Sequence, residues 1–354
     1  MDKRERLYDK FLGCVAGTHI GSSMGAVVEG MDWPDIEAKY GTLDRLMPYE
    51  HYGNGWKRAP GTTEDGVERQ KLMITAIMDK KDRVNAEDVK KVWLRDILPN
   101  SAGMVSEPFE ATLLALAKTG IPGRELGRYC DYFGLNSFAR ACHPVGLINA
   151  GDPRAAAEDV MEVGSLYQVT NSRGLKWAQV TAVAIAEGTR PEACVDSVIG
   201  AVFDVCDPDE VVRELDREMK KTAGITDFRE LRSYFDGVYS GRGMPYYCCF
   251  ANEVVTRAFC IFRAVRGDVR EAVIAGVNFG RDTDCTAAIA AGISGALSGA
   301  GPIPAEWIKQ LDEAAENNPY TNTRRSLAQH AEGLLRAYEA RFEKYLRLKN
   351  EMLG

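Results

Sequence analysis

Apolar residues along this chain recur at three- and four-residue spacing, with charged residues on the intervening positions. That period marks amphipathic helices. It predicts helices over about 4–28, 64–80, 86–97, 107–118, 124–133, 154–163, 174–188, 191–204, 209–222, 250–266, 269–279, 284–299, 304–317 and 324–347. Val and Ile stand singly among Ala, Leu and charged residues, so strand signals are scarce. Glycine and proline punctuate the joints, as at Pro60-Gly61, Pro122-Gly123 and Gly301-Pro302. Asp152-Pro153 supplies a capping acid and then proline at the first helical position. The longest irregular stretch, about 31–63, carries Trp33, Tyr40, Tyr52 and Trp56, and loops of that length in compact domains are often functional. The last helix is amphipathic and rich in Arg, Lys and Glu, which suits an outer layer. The expectation is a single all-α domain over 1–354.

Two segments break the ordinary pattern. Gly13, Gly17, Gly21 and Gly25 recur every fourth residue and therefore share one helix face. Each costs about 0.8–1 kcal/mol relative to Ala in a helix, so the close approach of a neighbouring helix or ligand has to compensate. Glu29 follows directly, where a carboxylate can face a cavity or simply meet solvent. The other segment is 278–299, in which Asp282 and Asp284 precede a run of Ala, Gly and Ser. Short acidic side chains at close spacing suit hard cations, which take oxygen ligands. The segment has the form of a metal-binding tip on a tightly packed helix.

A second acidic cluster, Thr63-Glu64-Asp65, follows Pro60-Gly61 and opens a helical run. In isolation it is equally a threonine cap with acids in the first turn, as the helix dipole favours. Combined with Asp282 and Asp284 it makes four carboxylates, which two divalent cations would balance. Without cations some of the four would have to protonate.

Composition narrows the classes. The chain has 354 residues, 45% of them hydrophobic, which is ample for a buried core. A net charge of −7 leaves no footprint for nucleic acid or an anionic membrane. Nine cysteines without a Cys-x-x-Cys pair, and four histidines without helical pairing, argue against zinc and for reduced thiols. The N-terminus lacks the apolar core of a secretory signal, and no run is long and apolar enough to span a bilayer. A cytoplasmic location is the expectation.

Three segments, in order, carry a resemblance. They are Gly21-Ser22-Ser23-Met24-Gly25-Ala26-Val27-Val28-Glu29, then Pro60-Gly61 with Thr63-Glu64-Asp65, then Gly280-Arg281-Asp282-Thr283-Asp284-Cys285. The Gly-rich exit with Ile303-Pro304 and Trp307 extends the match, so that it covers roughly 10–310. Together they resemble the ADP-ribosylglycohydrolase family, of the dinitrogenase-reductase-activating glycohydrolase type, as a divergent member. That resemblance implies an orthogonal all-α bundle with a cleft that holds two Mg²⁺ ions, or Mn²⁺ in their place. It further implies a glycosidase that hydrolyses an N- or O-linked ribosyl bond of an ADP-ribosylated protein or a small ribosyl conjugate.

Carried over by motif, Thr63, Glu64, Asp65, Asp282, Asp284 and Thr286 (or Thr283) are the implied metal ligands. Glu29 matches the catalytic or substrate-positioning glutamate, with Asp65 and Asp284 beside it in the reaction. The segment Asn136–Pro144 matches the family's substrate loop loosely, which makes Asn136, Ser137 and His143 candidate substrate contacts. Arg281 is a further candidate anion contact, or an ion-pair partner of the metal carboxylates. The Ser240–Gly243 turn offers backbone donors for phosphates, and Tyr246, Tyr247 and Phe250 offer rings for a base. Ser22, Glu64 and Cys285 depart from the motifs, standing where relatives carry Asp, Asp and Thr, and a thiol is a poor ligand for Mg²⁺. Two other functions follow from those departures: hydrolysis of a smaller, nucleoside-like N-glycoside, or ADP-ribose binding without catalysis.

Overall fold

The computed structural model describes residues 2–50, 57–99, 108–241 and 246–354. These form an all-α fold of seventeen helices. The first is α1 (Lys3–Gly25), started by a capping box in which Asp2 accepts from Glu5 N and Glu5 accepts from Asp2 N. Next come α2 (Trp33–Tyr40), α3 (Asp65–Lys80), α4 (Ala86–Asp96), α5 (Pro108–Ala117), α6 (Gly123–Leu126), α7 (His143–Ile148) and α8 (Pro153–Gly164). Then follow α9 (Arg173–Gly188), α10 (Val195–Val205), α11 (Arg213–Lys221), α12 (Phe228–Asp236) and α13 (Ala251–Ala264). The last four are α14 (Val269–Val277), α15 (Thr283–Ser298), α16 (Ala305–Glu316) and α17 (Leu327–Leu353). One short hairpin, β1 (Tyr49–Glu50) with β2 (Lys57–Arg58), pairs antiparallel with Tyr49 opposite Arg58.

The centre of the molecule is α15, enclosed by α1, α14, α13 and α9. The glycine ladder explains how α1 lies on it so closely. A Cβ on Gly17 would sit 2.6 Å from Ala291 O, one on Gly21 2.8 Å from Ala287 C, and one on Gly25 2.5 Å from Asp284 Cα. Side chains of α15 at the seam, Ala287, Ala291 and Gly295, repeat at the same four-residue spacing, so two smooth faces meet backbone to backbone. The ladder therefore serves helix packing, and it fixes the height of α15's N-terminus against the C-terminus of α1.

Several boundaries differ from the periodicity. The irregular stretch 31–63 contains α2, whose Asp32-Trp33-Pro34 start repeats the Asp-then-Pro signal seen at 152–153. The helix expected over 124–133 stops at Leu126, with one 3-10 turn over Gly127–Tyr129. There Gly127 lies against the 165–168 backbone, where a Cβ would be 2.3 Å from Gln168 O. Short helices α7 and α12 have too few turns to show a period. The helix expected from 209 starts with a π turn over Pro208–Val212, on an Asp207 cap. Thr63 does not cap α3: Glu64 holds the N-cap position and makes no side-chain cap bond. Among the described residues no helix is long and apolar enough to cross a membrane, and all nine cysteines are free.

Candidate active site

Two turns build the site at the N-terminus of α15. Gly280 and Arg281 both take left-handed backbone angles, φ +84° and +68°. For Arg281 this conformation costs energy, and two backbone hydrogen bonds hold it. Gly30 N donates to Arg281 O at 2.8 Å, and Arg281 N donates to Met31 O at 2.7 Å. Thr283 Oγ1 then donates to Gly25 O at 2.8 Å. The loop carrying Glu29 is in this way stitched to the turn carrying Asp282.

Asp282 caps α15, accepting from Cys285 N at 3.3 Å through Oδ1. Its Oδ2 accepts from Asn136 Nδ2 at 2.8 Å. Asn136 is itself pinned, since its backbone N–H and its amide both donate to Cys249 O, at 2.9 and 3.0 Å. Asp284 is buried, and its Oδ1 has no hydrogen-bond partner among the described residues; neither has Thr286 Oγ1, one turn beyond Asp282. Burial first, and then the Asp282 charge, push the Asp284 carboxyl well above the ordinary carboxylate range. Ligand atoms of Asp282, Asp284 and Cys285 lie within 4.8 Å of one another, a group able to hold a metal ion.

Asp65 joins this centre through a guanidinium. Arg140 Nη2 donates to Asp65 Oδ2 at 2.7 Å, while its Nη1 lies 3.8 Å from Asp284 Oδ2 and 3.3 Å from Cys285 Sγ. Arg69 Nη2 reaches the same Asp65 oxygen at 3.4 Å. Thr63 and Glu64 turn elsewhere. Thr63 Oγ1 donates to Glu68 Oε1 and accepts from Lys71 Nζ, each at 2.8 Å. Glu64 accepts from Tyr49 OH at 2.7 Å and Arg58 Nε at 2.8 Å. Burial pushes its carboxyl up to about 7, against the pull of Arg58 and Tyr49.

A cavity opens on the centre, lined by Glu29, Leu135, Asn136, Ser137, Arg140, Tyr246, Cys249 and Asp282. Glu29, Asn136 and Ser137 are thus brought together with Asp282. His143 and Arg281 do not line it. His143 is a core residue: its Nδ1 meets Gln70 Nε2 at 3.1 Å and its Nε2 meets Ala288 O at 3.2 Å. Burial keeps it neutral, with its pKa down to about 3. Arg281 pairs with Glu253 at 2.6 and 3.0 Å, not with the aspartates, and stacks over Tyr247 at 4.9 Å. Tyr247 is thereby taken, whereas Tyr246 borders the cavity. In the Ser240–Gly243 turn, Arg242 and Gly243 lie outside the described residues. Arg140 was not assigned from sequence. The available signal was its isolation: Arg140 is the one Arg, Lys, Asp or Glu in 133–151.

The family model for ADP-ribosylglycohydrolase matches residues 3–344. The chain belongs to the ADP-ribosylglycohydrolase family. Its similarity to individual relatives is low. A protein of Archaeoglobus fulgidus that carries no functional name is 25% identical over 313 residues, 86% of this chain and 92% of that one. The ADP-ribosyl-[dinitrogen reductase] glycohydrolase of Rhodospirillum rubrum is 24% identical over 316 residues, 88% of this chain and 92% of that one. A solved structure described as an ADP-ribosylglycohydrolase-related protein complex superposes with a TM-score of 0.65 at 15% identity. It covers 95% of this chain and 99% of its own, and it establishes the fold alone.

The family is often metal-dependent, and the residues present fit one hard cation better than two. Asp282 and Asp284 offer carboxylate oxygens, with an unpartnered Asp284 Oδ1. Thr286 adds an unpartnered hydroxyl, whereas Thr63, Glu64 and Asp65 are each engaged by a cationic side chain.

Proposed function

We propose that this chain is a glycosidase that hydrolyses the ribosyl bond of an ADP-ribosyl conjugate, either an ADP-ribosylated protein or a small ribosyl conjugate. The reading is carried by one observation: Glu29, Asn136 and Asp282 border one cavity at the N-terminus of α15. Cleavage at C1 of a ribose builds positive charge on the sugar, and paired carboxylates are the usual means of meeting it. Glu29, half-buried on the cavity wall, would move a proton to or from the reacting bond. Asn136 keeps Asp282 oriented through its 2.8 Å bond. Ser137 and Tyr246 supply a hydroxyl and a ring for the substrate's polar and flat parts. A Mg²⁺ or Mn²⁺ ion on Asp282 and Asp284, with Thr286 nearby, would hold ribose hydroxyls and acidify a water.

The test is release of free ADP-ribose from an ADP-ribosylated protein and from small conjugates, with Mg²⁺ or Mn²⁺ supplied. Glu29→Gln is expected to lower turnover by about a hundredfold or more, with metal content and folding unchanged. Asp282→Ala is expected to lower both metal content and turnover. Full activity of Glu29→Gln would remove Glu29 from the chemistry, and absence of turnover on every conjugate and nucleoside would sink the hydrolase reading. Binding without turnover is the second reading, favoured by the Arg140 guanidinium at Asp65 and Asp284. ADP-ribose titrated calorimetrically, with heat of binding and no product, identifies it.

A further inference from the structure

The acidic centre already contains a cation. Asp65, Asp282 and Asp284 are three buried carboxylates, and Arg140 reaches into them, buried with them. Its guanidinium lies 2.7 Å from Asp65 Oδ2, 3.8 Å from Asp284 Oδ2 and 3.3 Å from Cys285 Sγ. A metal ion joining Asp65 to Asp284 would need the space this group fills. Mg²⁺ requires oxygen ligands at about 2.0–2.1 Å in octahedral array, and no such array can form around a guanidinium already seated between the two carboxylates. Arginine also cannot shed its proton to make room electrostatically.

The arrangement is built rather than incidental. Arg140's carbonyl accepts from Gln70 Nε2 at 2.6 Å, and its N–H donates to Asn136 O at 3.2 Å. The stem passes over Gly66, where a Cβ would lie only 2.9 Å from Arg140 Cδ. It also accounts for Cys285: a thiol, useless to Mg²⁺, here accepts from Nη1.

We propose that Arg140 is a tethered cation standing in for one divalent ion, so that this centre binds at most one, at its Asp282–Asp284 end. The inference rests on the reading above for where metal goes, but it is read by counting metal rather than by turnover, so either can fail without the other. The experiment is equilibrium dialysis of the full chain against Mn²⁺, followed by elemental analysis. Wild type is expected to retain no more than one equivalent, and Arg140→Ala one equivalent more than wild type. Two equivalents in wild type, or no gain in Arg140→Ala, overturns the proposal. Should Arg140→Ala fail to fold alone, it is refolded with Mn²⁺ and with Mg²⁺. Rescue by either ion supports the stand-in role, and failure with both overturns it.

Discussion

Gly21→Ala and Gly200→Ala are the same chemical change in the middle of a helix, yet the structure assigns them opposite signs. At Gly200, within α10, a Cβ meets nothing within 4 Å. Only the intrinsic helix preference acts there, and the protein should gain about 0.8–1 kcal/mol. At Gly21 the new Cβ would lie 2.8 Å from both C and O of Ala287. Ordinary carbon contact begins near 3.5 Å, so α1 and α15 must part by about 0.7 Å. Backbone cannot swing aside as a side chain does, so the upper part of the overpacking range, about 2–3 kcal/mol, applies. Subtracting the helix gain leaves a net loss of about 1–2 kcal/mol. The two variants should therefore straddle wild type with a spread of about 2–3 kcal/mol. Urea unfolding followed by tryptophan fluorescence, with midpoint and slope fitted for all three proteins, measures it. If both substitutions stabilise, the seam between α1 and α15 is not tight and the account of the ladder is wrong. Gly25→Ala extends the argument into the site. Its Cβ would meet Asp284 Cα at 2.5 Å, so metal content should fall together with stability.

His143 is neutral in the fold, with a pKa of about 3, so only the unfolded chain takes up its proton as pH falls below about 6.5. Wild type therefore loses stability through this group on acidification, and His143→Gln, measured against wild type, should gain about 2 kcal/mol between pH 7.5 and pH 5; a pH-independent difference would refute the buried neutral state. Asn278 ties the 41–48 loop to the end of α14, with Oδ1 accepting from Leu43 N and Nδ2 donating to Leu43 O, both at 2.8 Å. Asn278→Leu leaves that N–H and C=O buried and unpaired, and should cost about 2–3 kcal/mol in urea unfolding; a cost near zero would mean the loop satisfies them otherwise.

The acidic motifs were legible in sequence because they are local. Asp282 caps the helix it precedes, and Asp284 follows within the same turn, so spacing alone places them together. Glu29 was legible for a related reason: the glycine ladder ends just before it, and a ladder implies a partner helix. Thr63 and Glu64 were not, because which way a buried side chain turns depends on how its partners pack, not on spacing: Thr63 is taken by Glu68 and Lys71 on α3. Glu64 is held by Tyr49 and Arg58 and approached by Tyr320 OH at 3.4 Å. Likewise His143 stands in a segment that reads as a substrate loop, but the short helix α7 directs its ring into the core against Gly292.

By itself, then, the sequence determined the all-α class, the smooth seam on α1, and the acidic tip of α15. Each of these depends on residues within a few turns of one another, where spacing and side-chain size decide the outcome. The tertiary structure alone decided which cation meets that tip. Arg140 is 75 residues from Asp65 and 145 from Cys285, and no local pattern relates them. A buried carboxylate takes a counter-charge or a proton, and only the packing of α3 and α15 against the 136–142 segment brings a guanidinium to Asp65 and near Asp284.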